Sequence, residues 1–275
     1  MKNANHMMNQ NFSMIKSIQP HYNITFIGSG RVAHHLAPAF ANAGHKIIQV
    51  YSRNIENAIV LADMVGAEPI CKFDSVNKLS DIYIYCISDD AVQWVMNHIQ
   101  VHDGLHIHTS GSLSIDIFKK TRVDYGCLYP LQTFSKDKKI DMRKISFFIN
   151  ANNRSNLNKI NLLARDITNN VYEVTDEDKR YIHLAAVFAN NFTNLMYIKA
   201  EKILQDKNIP FKVLGNLIQE GVNKAKKIGP QKAQTGPAIR GDVRIIDQHI
   251  SMLSNEPEWQ EVYTILSDLI KKENT

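Results

Sequence analysis

The chain has 275 residues, of which 44% are hydrophobic, 21% charged and 8% aromatic. This composition excludes collagen-like, disulfide-rich and largely disordered proteins, and the length allows one large domain or two ordinary ones. Lysine and arginine total 32 against 27 acidic residues, and the formal charge of +5 is a mild excess. Such an excess suits an anionic small molecule and gives little support to nucleic-acid binding.

The three cysteines, Cys71, Cys86 and Cys127, lie far apart and form no Cys-x-x-Cys pair. This pattern predicts reduced thiols in a cytoplasmic protein rather than disulfides or a zinc site. No apolar run approaches the roughly 20 residues of a membrane span, so we expect no membrane association. Residues 1–21 are rich in Asn and Met and lack the apolar stretch of a secretory signal. We predict that they form a disordered tail, and a start at Met14 is equally compatible with the fold predicted from residue 22 onward.

From Asn23 onward, short apolar runs alternate with helical patterns, such as those over 31–43 and 55–64. Strands that alternate with helices at this spacing indicate βαβ units. We therefore predict a Rossmann-type, doubly wound, mostly parallel sheet over residues 22–174. The predicted strands are 24–27, 46–51, 68–70, 81–87, 105–108, 125–129, 145–149 and 171–174.

After residue 174 the strand pattern gives way to helices alone. Thr175 or Asp176 is a good N-cap, because acidic residues follow in the first turn. We predict an all-helical domain over 175–275 that helps to bind substrate and forms a homodimer. Its predicted helices are 176–206, 211–227, 242–253 and 257–272.

A glycine loop follows the first strand and opens the first helix. The loop has the spacing of a dinucleotide fingerprint, in which Gly28 permits the tight turn and Gly30 lets the backbone approach a pyrophosphate. Ala33 allows close packing of helix and strand, and the helix N-terminus offers free N–H groups to phosphates. A purely structural turn is the alternative. The cofactor-binding residues predicted here are Gly28, Ser29, Gly30, Arg31 and Val32.

The end of the second strand indicates which dinucleotide binds. An NAD site needs Asp or Glu there to hold the ribose 2′-hydroxyl, but residues 28–55 contain neither, and the first acid is Glu56. The strand is followed instead by Ser52, Arg53 and Asn54, which suit a 2′-phosphate. We therefore predict NADP(H), and the alternative is that Arg53 is a solvated surface charge.

Two later strands end in polar loops at the edge of the sheet where such folds bind ligands. Ser88 and Asp89 follow one strand and are predicted to contact the cofactor; one of them could also cap the next helix. Thr109, Ser110 and Gly111 follow another strand and are predicted to form a tight turn that faces the nicotinamide or substrate.

Two histidines on the strand predicted over 105–108 could suggest a metal site. His106 and His108 are two residues apart and therefore point to the same face of the sheet. No third ligand is positioned by the sequence, and Cys86 belongs to another strand, so we predict no metal.

The long helix predicted over 176–206 carries a candidate active-site stripe. Residues 184–189 are apolar on every side, so we expect this segment to be buried. At about 100° per residue, His183, Asn190 and Asn194 fall within roughly 40° of one line, with Asn191 beside it. Buried polar groups need partners, and a substrate carbonyl or carboxylate could provide them.

We assign roles to this stripe from residue chemistry. His183 titrates near neutrality by residue type and is the candidate general acid–base, with Asn190 and Asn191 as further catalytic candidates. Asn194 is predicted to bind substrate, and Ala186 would leave room for it. A structural histidine, with amides that tie helices together, is the alternative.

A second substrate-binding candidate lies later in the chain. Arg240 stands between the turn predicted at Gly236-Pro237 and Asp242, which should cap the next helix. We predict that Arg240 clamps a substrate carboxylate, while an ion pair with Asp242 or Glu220 is as good an explanation.

Several motifs together resemble one family of NADP oxidoreductases, in which a Rossmann-like domain precedes a helical domain of unknown function. The chain is more distantly similar to pyrroline-carboxylate reductases, deazaflavin-dependent NADP oxidoreductases and β-hydroxyacid dehydrogenases. The resemblance covers nearly all of the chain after residue 22, and it implies NADP binding, a helical domain that helps to build the active site, and often a dimer. The motifs that carry it are GSGRVA, YSRN, ISDDAV, HTSGS, YPLQTF, HLAAVFANNF and TGPAIRGD.

One departure from the dehydrogenases bears on the mechanism. They carry a catalytic lysine four residues before an asparagine, and counting back from Asn190 places Ala186 there. The expected activity is hydride transfer between NADP(H) and a small carbonyl, imine or alcohol. The alternatives are a non-catalytic NADP-binding sensor or regulatory protein, and a reductase that uses a second redox carrier such as a flavin or deazaflavin.

Overall fold

The computed structural model describes residues 20–273. The predicted disordered tail, residues 1–21, lies outside the described residues except for its last two positions. Across the described range, none of the helices combines the length and apolar character needed to cross a membrane.

Among the residues that the structure describes, eight strands form one sheet. They are Asn23–Ile27 (β1), Lys46–Tyr51 (β2), Glu68–Ile70 (β3), Ile82–Tyr85 (β4), Leu105–His108 (β5), Asp124–Pro130 (β6), Ser146–Ala151 (β7) and Asn170–Glu173 (β8). Their order is β3-β2-β1-β4-β5-β6-β7-β8, and all neighbours are parallel except β6 and β7. The strand order reverses between β1 and β4, which opens a crevice at the carboxyl edge. The predicted doubly wound, mostly parallel fold is confirmed.

Helices cover both faces of this sheet, and β4 shows how the sequence directs them. Its side chains alternate, so that Ile82 and Ile84 join one buried cluster while Tyr83 and Tyr85 join the other. The helices that pack around the sheet, together with the helix that follows it, are Arg31–Asn42 (α1), Ile55–Val65 (α2), Asp89–His98 (α3), Arg154–Arg165 (α4) and Asp176–Ala186 (α5). Helices α1, α2 and α4 contribute to the first cluster and α3 to the second. As expected, Thr175 caps α5, in a reciprocal capping box with Asp178.

The rest of the described chain is helical. Its α-helices are Thr193–Gln205 (α6), Gly215–Ile228 (α7), Pro230–Ala233 (α8), Pro237–Arg240 (α9), Val243–Met252 (α10) and Pro257–Glu273 (α11). The short helices α8 and α9 both begin at a proline, a residue whose fixed φ favours the first helical position. By backbone contacts, one compact unit ends at Asn191 and the second begins at Phe192. The boundary predicted at 174/175, where strands give way to helices, stays a prediction.

The helix predicted over 176–206 differs from the structure in its middle. Residues Val187–Phe192 form a π-helical segment between α5 and α6. An extra residue in one turn rotates all later side chains by about 100°, so a stripe drawn at constant α-helical pitch does not continue through it.

The burial expected for residues 184–189 is also wrong for the single chain. Leu184 is 52% exposed and Phe188 is 62% exposed. The half-buried positions from 182 to 187 are Ile182, His183, Ala186 and Val187, which share one side of the helix. A segment that is apolar on every side buries only that one side in the single chain.

The paired histidines of β5 are packed in the core. His106 lies between the Tyr85 hydroxyl, 3.1 Å from Nδ1, and the Asp103 carbonyl, 3.1 Å from Nε2. His108 Nδ1 accepts a hydrogen bond from the Ser110 amide at 3.2 Å. Burial lowers the pKa of both histidines to about 3, so both stay neutral. Within residues 20–273, no three His, Cys, Asp or Glu side chains converge as a metal site would require.

These histidines predict acid sensitivity of the sheet unit. Because the pKa of each falls from 6.5 unfolded to about 3 folded, the unfolded chain binds more protons below pH 6.5. The free energy of unfolding should therefore fall as pH drops from about 6.5 towards 3, by up to about 1.4 kcal/mol per pH unit for each histidine. Urea denaturation, followed by far-ultraviolet circular dichroism, measures the slope. His108→Gln should make it shallower, and His98→Gln, at an exposed histidine, controls for loss of an imidazole. A wild-type free energy of unfolding that does not fall would contradict the prediction.

Candidate functional site

The glycine loop lies between β1 and α1 at the strand-order reversal. Gly28 has a φ of +116°, and a Cβ there would stand 2.4 Å from the Cys86 carbonyl oxygen. Only glycine can meet both conditions. Gly30 is the N-cap of α1, whose first turn carries neither a capping side chain nor an acidic residue. The helix N-terminus is therefore open to an anion.

A cavity of about 620 Å³ opens in front of this loop. It brings together the loops after β1, β2, β4 and β5, as expected at the carboxyl edge of a doubly wound sheet. Of the cofactor-binding residues predicted from the sequence, Asn54 and Gly111 do not line it. The predicted residues that do are Gly28, Ser29, Gly30, Arg31, Val32, Ser52, Arg53, Ser88, Asp89, Thr109 and Ser110.

Some of the predicted loop residues have a structural role in the chain itself. Asn54 caps α2 by accepting a hydrogen bond from the Glu56 amide at 2.9 Å. Ser88 is the N-cap of α3 without a capping side-chain bond, and Asp89 begins that helix. The Asp89 carboxylate accepts hydrogen bonds from the Ser110 hydroxyl at 2.8 Å and from the Ser112 hydroxyl. Asp89 thereby ties the loop after β4 to the loop after β5.

The charges that line the first cavity are mainly positive. Arg31, Arg53 and Lys136 face a single carboxylate, Asp89. Lys136 was not predicted from the sequence, because it lies in an irregular segment after β6 that matches no motif. Three cations around one cavity suit a ligand with several phosphate groups.

An aromatic cluster forms one wall of the same cavity. Tyr51 stacks on Phe73 with ring centroids 4.9 Å apart, and Phe73 meets Trp94 edge to face at 5.5 Å. Trp94 is 53% exposed although it is braced by His98, whose ring centroid lies 4.1 Å away. Tyr51 and Trp94 both line the cavity and offer it flat apolar surface. Trp94 was not predicted from the sequence either, because it lies within a helix and belongs to no recognised motif.

A second cavity, of about 560 Å³, adjoins the first. The two share Arg31 and Val32, and all residues that line either cavity belong to the first compact unit. The second cavity contains the predicted residues His183, Asn190 and Asn191. Its other lining residues are Tyr129, Leu131, Gln132, Thr133, Phe134, Ala186, Val187 and Ala189.

Tyr129 and His183 form a hydrogen-bonded pair at this second cavity. The Tyr129 hydroxyl lies 3.0 Å from His183 Nδ1, although the two residues are 54 positions apart. Burial raises the pKa of Tyr129 to about 12. Tyr129 was not predicted as a site residue. It stands at the carboxyl end of a predicted strand, and Ser88 and Thr109 were predicted as site residues because they follow such strand ends.

Gly111 lies directly beside the pair. A Cβ at Gly111 would stand 2.6 Å from Tyr129 Cζ and 2.9 Å from His183 Nδ1. Any side chain there would displace one of the two rings, so Gly111 is needed for space.

An ion pair between buried Lys179 and half-buried Asp176 holds α5 against the loop that follows Gly111. The Asp176 carboxylate accepts hydrogen bonds from the Ser114 hydroxyl at 2.5 Å and the Ile115 amide at 2.9 Å. Lys179 Nζ lies 3.1 Å from Asp176 and also donates to the Leu113 carbonyl. Burial alone would raise the pKa of Asp176, but the Ser114 and Lys179 contacts lower it overall. Helix α5, and with it His183, is thus fixed relative to the β5 loop.

The two predicted substrate-binding residues line neither cavity. Asn194 belongs to α6 in the second compact unit, after the π-helical segment. Arg240 is 61% exposed and pairs with Asp242 at 2.8 Å, as the alternative explanation had it. Asp242 occupies the N-cap of α10 but makes no capping side-chain bond, because its carboxylate accepts from Arg240 instead. Their roles in substrate binding stay predictions.

Comparison with known proteins agrees with this geometry. Residues 23–110 match the family described as NADP oxidoreductase, coenzyme F420-dependent, and residues 145–270 match a domain of unknown function, DUF2520. No curated protein matches the chain.

Solved structures of similar fold include three informative cases. A putative NADP oxidoreductase from Bacteroides fragilis, BF3122, is 37% identical with a TM-score of 0.85, over 92% of this chain and 98% of its own. Protein TM1727 from Thermotoga maritima is 22% identical with a TM-score of 0.72, over 91% and 98% of the two chains. An imine reductase from Myxococcus stipitatus, solved with NADP+, is 17% identical with a TM-score of 0.66, over 91% and 92%. The chain belongs to the NADP oxidoreductase family of the Bacteroides protein, which confirms the resemblance seen in the sequence.

The glycine loop yields a stability prediction with a matched control. Gly28→Ala combines a positive φ with a 2.4 Å clash against backbone, whereas Gly66→Ala adds its Cβ at a φ of +66° into open space. We expect Gly66→Ala to cost about 1–2 kcal/mol and Gly28→Ala at least about 2 kcal/mol more, because backbone cannot move aside cheaply. Urea denaturation of both variants measures this difference. Equal losses of stability would show that the close approach to Cys86 is unimportant.

Proposed function

We propose that this chain is an NADP(H)-dependent oxidoreductase that transfers a hydride between C4 of the nicotinamide and a small carbonyl, imine or alcohol substrate. The observation that carries the proposal is the junction of the two cavities. The first is built on the glycine loop, the second contains Tyr129 and His183, and they meet at Arg31 and Val32. A cofactor in the first cavity would therefore adjoin a substrate in the second.

The residues of the first cavity fit NADP(H) in particular. Arg53 and Ser52 follow β2, where a 2′-phosphate would lie, and the sequence has no acid between Gly28 and Ile55 that would repel it. The open N-terminus of α1, with Arg31 and Lys136 nearby, suits the pyrophosphate. Several structural neighbours were solved with NADP+ or NADPH, in agreement with this assignment.

The protein's own residues handle orientation and the proton. When bound, the cofactor supplies or accepts the hydride. In this proposal the proton comes from His183, and Asn190 and Asn191 hold the substrate by hydrogen bonds from the wall of the second cavity. The alternative, a reductase that uses a second redox carrier, gains no support from the match to the coenzyme F420-dependent family. That match ends at residue 110, so it does not include Tyr129 or His183 of the second cavity.

We also propose that the protein acts as a homodimer. Both buried apolar clusters consist of residues from the first unit. Across the described part of the second unit, residues 192–273, only Lys199, Ala238, Ile246 and Ser267 are buried. A helical unit of this size needs more buried apolar surface than that, and a second copy could supply it. The cytoplasmic location and the absence of nucleic-acid partners remain predictions from the sequence.

The cofactor assignment is tested by binding. Arg53→Asp should weaken NADPH binding at least about tenfold while NADH binding stays the same or improves, because a charge-assisted contact to the 2′-phosphate becomes a repulsion. Lys136→Ala should weaken both cofactors by similar factors, since the pyrophosphate is common to both. Titration of the wild type and both variants with each nucleotide, followed by nicotinamide fluorescence, gives the six affinities. An unchanged NADPH-to-NADH ratio in Arg53→Asp would remove Arg53 from the 2′-phosphate site.

The oligomeric state is tested by sedimentation equilibrium at micromolar concentration. We expect a mass of twice 31.3 kDa. Leu217→Glu, on a helix of the second unit where the leucine is 70% exposed, should weaken the dimer. Leu79→Glu, at a leucine that is 86% exposed in the first unit, should not. A wild-type monomer would refute the proposal.

A further inference from the structure

We propose that Tyr129, and not His183, is the group that delivers the proton to the substrate, and that His183 resupplies Tyr129. The proposal rests on the proposed function, since it concerns the substrate side of the same site. It also specifies the substrate as an uncharged or anionic carbonyl compound.

The position of Tyr129 makes it a better direct donor than His183. Tyr129 is only 9% exposed yet lines the second cavity, and its hydroxyl meets His183 Nδ1 at 3.0 Å. Its ring packs near Phe148, with centroids 6.3 Å apart. A phenol held by packing at a cavity wall keeps its hydroxyl at one place, as proton transfer to a bound substrate requires.

Gly111 connects this pair to the cofactor cavity. The residues just before it, Thr109 and Ser110, line the first cavity. Gly111 itself lies so close to the Tyr129 and His183 rings that a Cβ there would clash with both. No positive φ requires glycine at this position. The missing side chain is therefore explained by the space that Tyr129 and His183 occupy next to the cofactor loop.

The charges of the second cavity favour a carbonyl over a protonated imine. Arg31 is the permanently charged residue in its lining, and no lining residue is acidic. The polar contacts available to a substrate come from Gln132, Thr133, Asn190 and Asn191. A cationic iminium would lack a carboxylate to offset its charge, whereas a neutral or anionic carbonyl compound would not need one.

The proton movements balance for carbonyl reduction by NADPH. When NADPH is bound, it would supply a hydride to the carbonyl carbon, and the π pair of the C=O bond would move to oxygen. That oxygen takes the phenolic proton of Tyr129, and the Tyr129 oxygen takes the Nδ1 proton of the His183 imidazolium. The products are the alcohol, NADP+ and a neutral imidazole, and the one proton consumed per turnover returns to the imidazole from solvent, because His183 is only half-buried. Alcohol oxidation follows the same steps in reverse.

The test compares Tyr129→Phe, His183→Gln and a matched control, Tyr172→Phe. Tyr172 stacks on Phe148, next to Tyr129, but its ring is 49% exposed and it lines neither cavity. The probes are propanal, cyclohexanone, pyruvate and the cyclic imine 2-methyl-1-pyrroline. Each is tested with NADPH between about pH 5.5 and 8.5, a range that spans imidazole titration.

We expect a carbonyl probe to be reduced faster than the imine. Tyr129→Phe should lower kcat about 100-fold or more with little change in NADPH affinity, and Tyr172→Phe should change neither. Wild-type kcat should fall as the imidazolium is lost at higher pH, and His183→Gln should have a lower kcat that no longer varies with pH. Tyr129→Phe with kcat within about threefold of wild type, or reduction of the imine alone, would overturn the proposal. If NADPH binds but no carbonyl probe is reduced, the carbonyl assignment is wrong while the cofactor assignment stands.

A second measurement needs neither substrate nor cofactor. The ¹⁵N chemical shift of His183 Nδ1 in the free protein should change in Tyr129→Phe, because the ring loses its hydrogen bond to the hydroxyl. Tyr172→Phe should leave this chemical shift in place. An unchanged shift in Tyr129→Phe would show that the two side chains share no hydrogen bond, and that His183 acts alone.

Discussion

The ion pair between Lys179 and Asp176 fixes the element on which the substrate side of the site depends. A buried charge is stable only when it is paired and hydrogen-bonded, and Lys179 has both the Asp176 carboxylate and the Leu113 carbonyl, while residues 114 and 115 hold Asp176 in place. Loss of Asp176 would leave the Lys179 charge buried without a partner, at a cost of about 3–5 kcal/mol, so this contact fixes α5 against the loop. His183 lies one helical turn beyond Lys179 and thereby keeps its place beside Tyr129.

Two glycines of the candidate site, Gly28 and Gly111, are required for different physical reasons. Gly28 needs both a left-handed φ and contact with the Cys86 carbonyl, and these needs arise within a local strand–turn–helix pattern. That pattern has a recognisable spacing, so the sequence predicts the glycine loop. Gly111 makes room for Tyr129 and His183, which come from distant parts of the chain. No local pattern records such a requirement.

Most of the fold was predictable because its signals are local. β4 begins and ends within two residues of its predicted bounds, since β-branched and aromatic residues that are buried on both faces mark a central parallel strand. The antiparallel pairing of β6 with β7 was not predictable, because strand direction depends on the route of the chain rather than on strand composition. The π-helical segment Val187–Phe192 was also missed. Its residues have the apolar periodicity of an α-helix, and the extra residue per turn leaves no trace in composition.

The candidate site, like the fold, was predictable where its signals are local in the sequence. The cofactor cavity was largely predictable, because parallel strands bring their carboxyl ends to one edge and each end can be found in the sequence. Tyr129 stands at the carboxyl end of a predicted strand, so the same reasoning could have identified it. Lys136 could not be predicted in this way, because it belongs to an irregular loop. The stripe predicted from His183 to Asn194 relied on constant helical pitch, and the π-helical segment breaks it.

The distribution of charge explains why the overall composition said so little about the ligand. A formal excess of +5 is small for the whole chain, yet three of the four charged side chains that line the first cavity are cations. In the second cavity Arg31 is shared with the first, and the remaining polar contacts are amides, hydroxyls and one imidazole. A polyanionic cofactor and an uncharged or anionic substrate can therefore occupy adjoining cavities. The shared Arg31 would attract the cofactor and an anionic substrate alike, and no acidic residue lines the second cavity to favour a cation.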